Sequence, residues 1–203
     1  MTKIKICGIR RLEDILIVNK YKPDYIGFVF AKNRVRTISL TDALLFKKNL
    51  NNDIIAVGVF RDNDIKEVIE VANSNAIDMI QLHGSEDDDF ILELKKHTKL
   101  PIIKAYNNYQ YADYALFDNA DPGKGKSFNK NDIKYDKPFF LAGGIDINNI
   151  DEAIKLNPYA IDLSSSVEKN GFKDEEKIKE IIRKVRIWKE DLELMVDNMF
   201  LKH

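Results

Sequence analysis

Short apolar runs recur along the chain at regular intervals, and segments with helical periodicity separate most of them. Several runs are continuously apolar rather than alternating, which is typical of parallel strands covered on both faces. We predict eight strands: Ile4–Cys7, Tyr25–Phe30, Ile54–Phe60, Ile77–His83, Ile102–Tyr106, Tyr114–Asp118, Phe139–Ala142 and Ala160–Ser164.

Helical spacing fills most of the segments between these strands, and Thr41 and Ser85 are expected N-caps. The connection Asn107–Asp113 is short, and Asn119–Pro138 is rich in Gly, Asn, Asp and Lys, so we predict no full helix in either. After the eighth strand, Lys173–Lys202 has a long, charged amphipathic pattern that indicates either a last helix covering the core or a dimer contact. The other predicted helices are Glu13–Tyr21, Thr41–Asn49, Asp64–Ala72, Asp87–His97 and Ile147–Leu156.

Alternation of eight strands with helices predicts one parallel sheet. At this strand count the economical arrangement is a closed (β/α)₈ TIM barrel with reduced fifth and sixth helices, forming one domain over residues 1–203. An open doubly wound sheet is the competing fold, but no G-x-G-x-x-G motif follows the first strand. In a barrel, the carboxyl ends of all strands meet on one face, where functional residues are expected.

Composition narrows the class of protein and its partners. The chain has 203 residues, and its 32 Lys and Arg nearly balance 33 Asp and Glu, so no basic field favours nucleic acid. A single cysteine excludes an internal disulfide framework and suits a reducing compartment. The N-terminus has no apolar signal region and no stretch approaches the length of a membrane span, so we expect a cytoplasmic protein.

Chemically capable residues stand at the predicted strand ends. Cys7 closes the first strand, and for a lone cysteine both a reactive and an inert buried role are open. Asp118 closes the sixth strand. Small residues after strands seven and eight expose backbone N–H groups, as expected of a phosphate-binding site (the phosphate seat) in a barrel. These residues are Gly143, Gly144, Ser164, Ser165 and Ser166.

Six segments, in order and in register, resemble the signature segments of the phosphoribosylanthranilate isomerase family. They lie between positions 5 and 174, and Gly171 and Lys173-Asp174 follow the last of them. The segments are Lys5-Ile6-Cys7-Gly8-Ile9, Gly27-Phe28-Val29-Phe30, Val57-Gly58-Val59-Phe60, Gln81-Leu82-His83-Gly84, Leu141-Ala142-Gly143-Gly144-Ile145 and Asp162-Leu163-Ser164-Ser165-Ser166-Val167-Glu168.

This resemblance implies a small (β/α)₈ barrel enzyme of tryptophan biosynthesis that catalyses a cofactor-free Amadori rearrangement. N-(5′-phosphoribosyl)anthranilate would become 1-(2-carboxyphenylamino)-1-deoxyribulose 5-phosphate, with Asp118 as general acid and Cys7 as general base. Cys7 must then be accessible, readily deprotonated and in the same pocket as Asp118. The only partner implied is this small phosphosugar substrate, without nucleic acid, membrane or metal, and protein partners are unknown.

The same resemblance assigns binding roles to two further residues. Arg36 matches the arginine that grips the anthranilate carboxylate, a task that suits a planar guanidinium. Arg34 beside it is a second candidate for that task. Asp162 matches a position near the substrate hydroxyls. His83 closes a core strand, and we assign it a structural rather than a proton-transfer role.

Three departures from the family pattern affect the expected site. Ser166 stands where a glycine is usual, so it either strains a positive φ or adds a hydroxyl to the phosphate seat. The loop after strand six reads Pro122-Gly123-Lys124-Gly125, then Phe128-Asn129-Lys130, instead of the usual glycine-rich sequence. Arg34 also replaces a serine that is common between strand two and the arginine.

Other functions fit the residues less well. Gly125-Lys126-Ser127 is a near miss to a P-loop, but the required earlier glycine is Ala120. Asp87, Asp88 and Asp89, with Glu86 and His83, match neither a calcium nor a zinc spacing and suit a helix N-terminus. A non-catalytic phosphosugar-binding protein is opposed by the joint presence of the acid, base and arginine. An isomerase of the histidine-pathway aminoaldose typically has two aspartates, whereas here the first position is a cysteine.

Overall fold

The structure, a computed structural model, describes residues 2–105, 110–118 and 137–200, with side chains described up to residue 187. Eight parallel strands close into a barrel, each hydrogen-bonded to its sequence neighbours and the first to the eighth. The predicted fold class is thereby confirmed. The strands are β1 (Lys3–Cys7), β2 (Tyr25–Val29), β3 (Ile55–Phe60), β4 (Met79–Leu82), β5 (Ile102–Ala105), β6 (Tyr114–Asp118), β7 (Phe139–Ala142) and β8 (Ala160–Leu163).

Helices cover the outside of the barrel between most strands. The described part of the connection between β5 and β6, residues 110–113, contains no helix, in agreement with the predicted reduction. A two-stranded ribbon, β9 (Glu168–Lys169) and β10 (Phe172–Lys173), follows β8. The helices are α1 (Leu12–Tyr21), α2 (Leu40–Asn49), α3 (Ile65–Asn73), α4 (Asp88–His97), α5 (Ile150–Lys155) and α6 (Glu175–Phe200).

The two predicted N-caps are wrong by two positions. Ser39 caps α2 instead of Thr41, because its hydroxyl accepts from the Asp42 amide at 3.0 Å and Asp42 completes a capping box. Asp87 caps α4 by accepting from the Phe90 amide at 2.9 Å. Ser85 instead donates its hydroxyl to Asp62. The sequence offered two capping residues at each start, and the one that could reach the third amide of the helix became the cap.

Helix α6 begins two residues after the predicted start, because Lys173 belongs to the ribbon strand β10. Its first turns press four buried residues onto the barrel: Ile178, Ile181, Ile182 and Val185. Of the two alternatives left open for this stretch, a last helix that covers the barrel is the one that these turns form. The side chains from Trp188 onward lie outside the described part. Within the described residues, no helix is long and apolar enough to cross a membrane.

Side-chain alternation along β1 divides the molecule into an outer and an inner core. Ile4 and Ile6 face the helices and join the large apolar cluster between helices and strands. Lys3, Lys5 and Cys7 alternate with them and therefore point into the barrel. At its amino-terminal end the barrel is filled by a second cluster that includes Tyr25, Met79, Leu116 and Phe140. Nearer the carboxyl ends of the strands, the barrel interior becomes polar.

Candidate active site

A cavity of about 350 Å³ opens at the carboxyl ends of the strands. This is the face on which (β/α)₈ enzymes place their active sites. Its walls combine a thiol, carboxylates and guanidinium groups with small residues from β7 and β8. All nine site residues predicted from the sequence line it: Cys7, Arg36, Asp118, Gly143, Gly144, Asp162, Ser164, Ser165 and Ser166. The role of each of these residues is a prediction.

Cys7 occupies the last position of β1, and the neighbouring strand has no side chain beside it. A Cβ built on Gly27 would lie 2.7 Å from the Cys7 Sγ, closer than real Cβ atoms approach. Gly27 of β2 is the residue directly paired with Cys7 of β1, so a side chain at position 27 would lie beside the thiol. The thiol therefore keeps its place at the cavity because residue 27 is a glycine.

The thiol is partly exposed, as predicted, but it is not readily deprotonated. Burial raises its pKa above the ordinary value, and the carboxylate of Asp162 acts in the same direction. The charges of Lys5, Lys173 and Arg36 favour the thiolate without offsetting burial. The expectation of an easily ionised thiol is therefore wrong for the free protein, which holds Cys7 largely as the neutral thiol.

This protonation state is testable by alkylation, because Cys7 is the only cysteine. Only the thiolate attacks iodoacetamide, so the rate follows the ionised fraction. We expect the rate in the folded chain to keep rising above pH of about 8.5, the ordinary midpoint of a cysteine. Mass spectrometry of quenched samples gives the rate, with the guanidinium-unfolded chain as reference. A folded-state midpoint at or below that of the unfolded chain would contradict this expectation.

The role of Gly27 predicts a loss of turnover on Gly27→Ala. The added methyl group would push Sγ from its position, and a displacement of about 1 Å can cost about 10²-fold in rate. Gly58→Ala is a matched control, because its Cβ would also crowd a side chain at 2.7 Å, but that of Ile77 behind the barrel wall. We expect both variants to lose stability and only Gly27→Ala to lose kcat by about 10- to 100-fold. Equal kcat in the two variants would show that Gly27 does not position the thiol.

Beneath Cys7 lies a buried ion pair that was not predicted from the sequence. The Lys5 Nζ is 2.6 Å from Asp162 Oδ2 and 2.7 Å from Gln81 Oε1. Burial by itself would lower the pKa of Lys5, but the charges and hydrogen bonds of Asp162 and Cys7 raise it, so the ammonium stays charged. The other Asp162 oxygen, Oδ1, is buried and has no hydrogen-bond partner among the described residues. Asp162 lines the cavity, so this oxygen is a candidate acceptor for a ligand hydroxyl.

Asp118 and His83 lie next to each other in the cavity lining. His83 Nε2 lies 3.3 Å from Asp118 Oδ2, and His83 Nδ1 lies 2.9 Å from Gln81 Nε2. Both side chains remain partly exposed to the cavity. The histidine predicted to be structural therefore touches the residue predicted to be the acid. The sequence signal for a role of His83 in the site was its position directly after β4, on the inward-facing side of that strand.

Arg36 is held by the carboxylate of Glu168, a residue of the sixth family-like segment for which the sequence predicted no role. Its Nε and Nη2 donate to the two oxygens of Glu168 at 2.7 and 2.8 Å, and Lys173 donates to the same carboxylate at 2.8 Å. Although burial would raise the pKa of Glu168, the two cations lower it to about 2, so the carboxylate stays ionised. A Cβ on Gly8, whose φ is +86°, would overlap the Arg36 side chain. Gly8 and Glu168 thus fix the guanidinium at the rim.

The small residues after β7 and β8 form a concave wall. Gly143 and Gly144 both have positive φ, 89° and 63°, which turns their backbone sharply below the rim. Ser166 is in the short 3₁₀ turn Ser165–Val167 and is not among the described residues with positive φ, so it carries no such strain. Its hydroxyl is buried and has no hydrogen-bond partner among the described residues. Of the two expectations for Ser166, an additional hydroxyl at the phosphate seat is the one compatible with its backbone.

The loop after β6 and the acidic segment after β4 were the other sequence features considered for a site. The loop residues Pro122–Gly125 and Phe128–Lys130, with the P-loop near miss, lie outside the described residues. The acidic segment after β4 serves the fold: Asp87 caps α4, and Glu86 accepts from the amides of Asp62 and Gly84. No group of three or more potential metal ligands occurs in the part of the chain that the structure describes.

Comparison with known proteins places this barrel among isomerases. Residues 4–184 match the family model for N-(5'phosphoribosyl)anthranilate (PRA) isomerase. The N-(5'-phosphoribosyl)anthranilate isomerase of Clostridium acetobutylicum is 45% identical over 207 residues, covering 93% of this chain and 100% of the relative.

Solved structures agree with the sequence relatives. The phosphoribosyl anthranilate isomerase of Thermus thermophilus superposes with a TM-score of 0.81 at 31% identity, over 92% of this chain and 100% of that one. A phosphoribosyl anthranilate isomerase in complex with reduced 1-(o-carboxyphenylamino)-1-deoxyribulose 5-phosphate superposes with a TM-score of 0.77 at 30% identity, over 90% and 97%. The chain therefore belongs to the N-(5'-phosphoribosyl)anthranilate isomerase family and is an isomerase of tryptophan biosynthesis.

Proposed function

We propose that the chain catalyses the Amadori rearrangement of N-(5′-phosphoribosyl)anthranilate by general acid and base catalysis, without a cofactor. The product is 1-(2-carboxyphenylamino)-1-deoxyribulose 5-phosphate. The observation that carries the proposal is one cavity in which Cys7 and Asp118 lie between a guanidinium at the rim and a small-residue wall. The two anionic ends of the substrate match these two ends of the site. The related isomerase bound to the reduced product analogue supports the choice of ligand.

Binding uses residues that bear no part in proton transfer. Backbone amides at Gly143 and Gly144, and the serine hydroxyls after β8, receive the phosphate. Asp162 Oδ1 accepts a hydrogen bond from a ribose hydroxyl. Arg36 receives the anthranilate carboxylate. The described contacts of Arg36 with Glu168 occupy two of the five N–H donors of a guanidinium, so a carboxylate can bind the remaining edge.

The acid step opens the ribose ring. Protonated Asp118 gives its proton to the furanose ring oxygen as the bond from C1′ to that oxygen breaks. The ring oxygen becomes the 4′-hydroxyl, and the anthranilate nitrogen and C1′ form an iminium ion. A positioned carboxylic acid typically contributes about 10²- to 10⁴-fold to such a step.

The base step removes the proton at C2′. The Cys7 thiolate takes this proton, and the electrons of the C2′–H bond neutralise the iminium ion to give an enolamine. Tautomerisation then moves a proton from the 2′-hydroxyl to C1′ and leaves the C2′ ketone. One proton must return from Cys7 to Asp118, through solvent, before the next turnover. The iminium charge adds to that of Lys5 in favouring the thiolate at the moment it is needed.

The test is the fluorescence decay of freshly generated phosphoribosylanthranilate on addition of the purified chain. We expect multiple turnovers and formation of the aminoketose. Binding without turnover would indicate a phosphosugar-binding protein instead. Turnover of the histidine-pathway aminoaldose, and none of the anthranilate compound, would indicate the related isomerase. Hydrolysis of ATP in the presence of magnesium, detected as released phosphate, would indicate a nucleotide hydrolase.

We further propose that residues 1–203 form a single domain and act in the cytoplasm on this small-molecule substrate. One closed barrel accounts for all eight predicted strands, which supports the single domain. The near balance of charges, a net −1, and the single cysteine support a cytoplasmic enzyme that binds neither nucleic acid nor membrane.

A further inference from the structure

A continuous line of polar side chains runs beneath the cavity from β1 to β6. Lys5 contacts Gln81 Oε1 at 2.7 Å, and Gln81 Nε2 contacts His83 Nδ1 at 2.9 Å. His83 Nε2 then contacts Asp118 Oδ2 at 3.3 Å. The line therefore joins the buried ammonium below the thiol to the carboxyl group on the opposite side of the cavity.

The chemistry of Lys5 determines the direction of every hydrogen bond in this line. An ammonium group only donates, so the Gln81 atom that faces it must be the amide oxygen. The Gln81 amide nitrogen is then turned to His83 and can only donate. His83 Nδ1 must accept, so it carries no proton, and the proton of the neutral ring lies on Nε2. Nε2–H is consequently the ring group that faces Asp118 Oδ2, at 3.3 Å.

Burial makes this orientation hard to reverse. Lys5 is fully buried and Gln81 is 1% exposed, so water cannot satisfy either group. Turning the Gln81 amide would set its N–H donors against the ammonium and leave the ring nitrogen facing an oxygen. A buried polar group without a partner costs about 1–3 kcal/mol. The ammonium itself remains charged, because Asp162 and Cys7 raise the pKa of Lys5.

We propose that Lys5 and Gln81 are positioning residues that hold His83 in its Nε2–H tautomer, and that this tautomer reserves Oδ2 of Asp118 as a hydrogen-bond acceptor. The proton that Asp118 transfers is thereby confined to Oδ1. This inference rests on the proposed function, in which Asp118 is the acid. It assigns no proton transfer to His83, which acts only through the carboxyl group.

The tautomer can be measured directly in the full chain. Nitrogen-15 chemical shifts distinguish the two neutral tautomers and the imidazolium, and the chain has only three histidines. The signal absent from His83→Asn identifies His83. We expect the wild-type ring to be protonated on Nε2 and not on Nδ1. A wild-type ring protonated on Nδ1 would overturn the proposal.

Gln81→Glu replaces the amide N–H donor that faces His83 Nδ1 by a carboxylate oxygen, which accepts. A carboxylate at this position accepts from Lys5 and also from the ring, so we expect His83 Nδ1 to become protonated. The matched control is Gln110→Glu, which adds the same charge at the chain's other, exposed glutamine and should leave the His83 shifts unchanged. An unchanged Nε2–H signal in Gln81→Glu would overturn the proposal. Should that variant not fold, Gln81→Met removes the donor to Nδ1, and we expect its His83 shifts to indicate a mixture of both tautomers; a pure Nε2–H signal would count against the proposal.

Turnover provides the second readout. We expect Gln81→Glu to lower kcat by about tenfold with little change in KM, because the acid is misdirected while the binding residues are untouched. A parallel rise in KM, with kcat unchanged, would indicate a merely structural or binding role. If the tautomer changes as expected while Asp118→Asn keeps full turnover, the proposed acid is wrong and the tautomer assignment stands. If Asp118→Asn is inactive and the His83 tautomer does not change in Gln81→Glu, the proposed acid stands and the tautomer assignment is wrong.

Discussion

Replacing Cys7 with alanine is expected to lower kcat by about 10²- to 10⁴-fold, the usual contribution of a general base. No other described side chain at the cavity duplicates its function, since the nearest carboxylate, Asp162, is paired with Lys5. The substitution leaves a small space in a partly exposed position, so the fold and substrate binding should persist. Steady-state kinetics with circular dichroism and thermal unfolding will separate loss of chemistry from loss of fold.

Cys7→Ser is the closest control in size, and it should be almost as inactive. A serine hydroxyl does not ionise at neutral pH, so it preserves the shape but not the base. In Asp118→Asn, where the acid is removed, the residual kcat/KM should rise with pH through the raised pKa of the thiol, because the active form of Cys7 is the thiolate. Full activity of Cys7→Ala, or a residual kcat/KM of Asp118→Asn that falls from pH 7 to pH 9, would remove Cys7 from the mechanism.

Replacing Asp118 with asparagine should lower kcat by a similar factor of about 10²- to 10⁴-fold. Asparagine keeps the size and the acceptor for His83 Nε2–H but has no transferable proton for the ring oxygen. The contact with His83 at 3.3 Å is therefore preserved, and the site should remain assembled. Rates are measured by the fluorescence decay of the substrate.

Two further variants sharpen the assignment of the acid. Asp118→Glu keeps a carboxylic acid but moves it by one methylene, so we expect partial activity, well above that of the asparagine variant. Asp89→Asn removes an exposed carboxylate of α4 and should leave kcat unchanged. An Asp118→Asn variant within about twofold of wild type would exclude this residue as the acid.

The barrel was predictable because its strands are short, apolar and regularly spaced. Buried parallel strands must be apolar on both faces, so runs such as Tyr25–Phe30 and Phe139–Ala142 were visible without any knowledge of tertiary contacts. Strand ends were less certain by one or two residues. The helix caps were wrong because two capping residues stood near each helix start, and only the geometry of the first turn decides between them.

The polar floor of the site was not predictable from the pattern in β1. Lys3-Ile4-Lys5-Ile6-Cys7 alternates charge and isoleucine, which ordinarily indicates a strand with its lysines in water. In the barrel the isoleucines face the helices, and Lys5 faces inward to Asp162 and Gln81. Only closure of the sheet brings β1, β4 and β8 around one interior, so the partners of Lys5 are 76 and 157 residues away.

The residues predicted for the site were found together, but their electrostatics were not foreseeable. All nine line one cavity, because a barrel gathers its strand ends on one face. The neutral state of the Cys7 thiol depends on how deeply it is buried and on three surrounding cations. Glu168 was visible in the sequence, but its contact with Arg36 spans 132 residues and required the fold.

Separation of chemistry from binding is the central feature of the proposed site. In the proposed mechanism Cys7 and Asp118 transfer protons, while Arg36, Asp162 and the small-residue wall hold the substrate. The most direct measurement is the affinity of Cys7→Ala/Asp118→Asn for the reduced product analogue, by titration calorimetry, beside its turnover. We expect the affinity to stay within about threefold of wild type while kcat falls by at least about 10³-fold. Turnover near the wild-type rate, or an affinity that falls as far as the turnover, would contradict the mechanism.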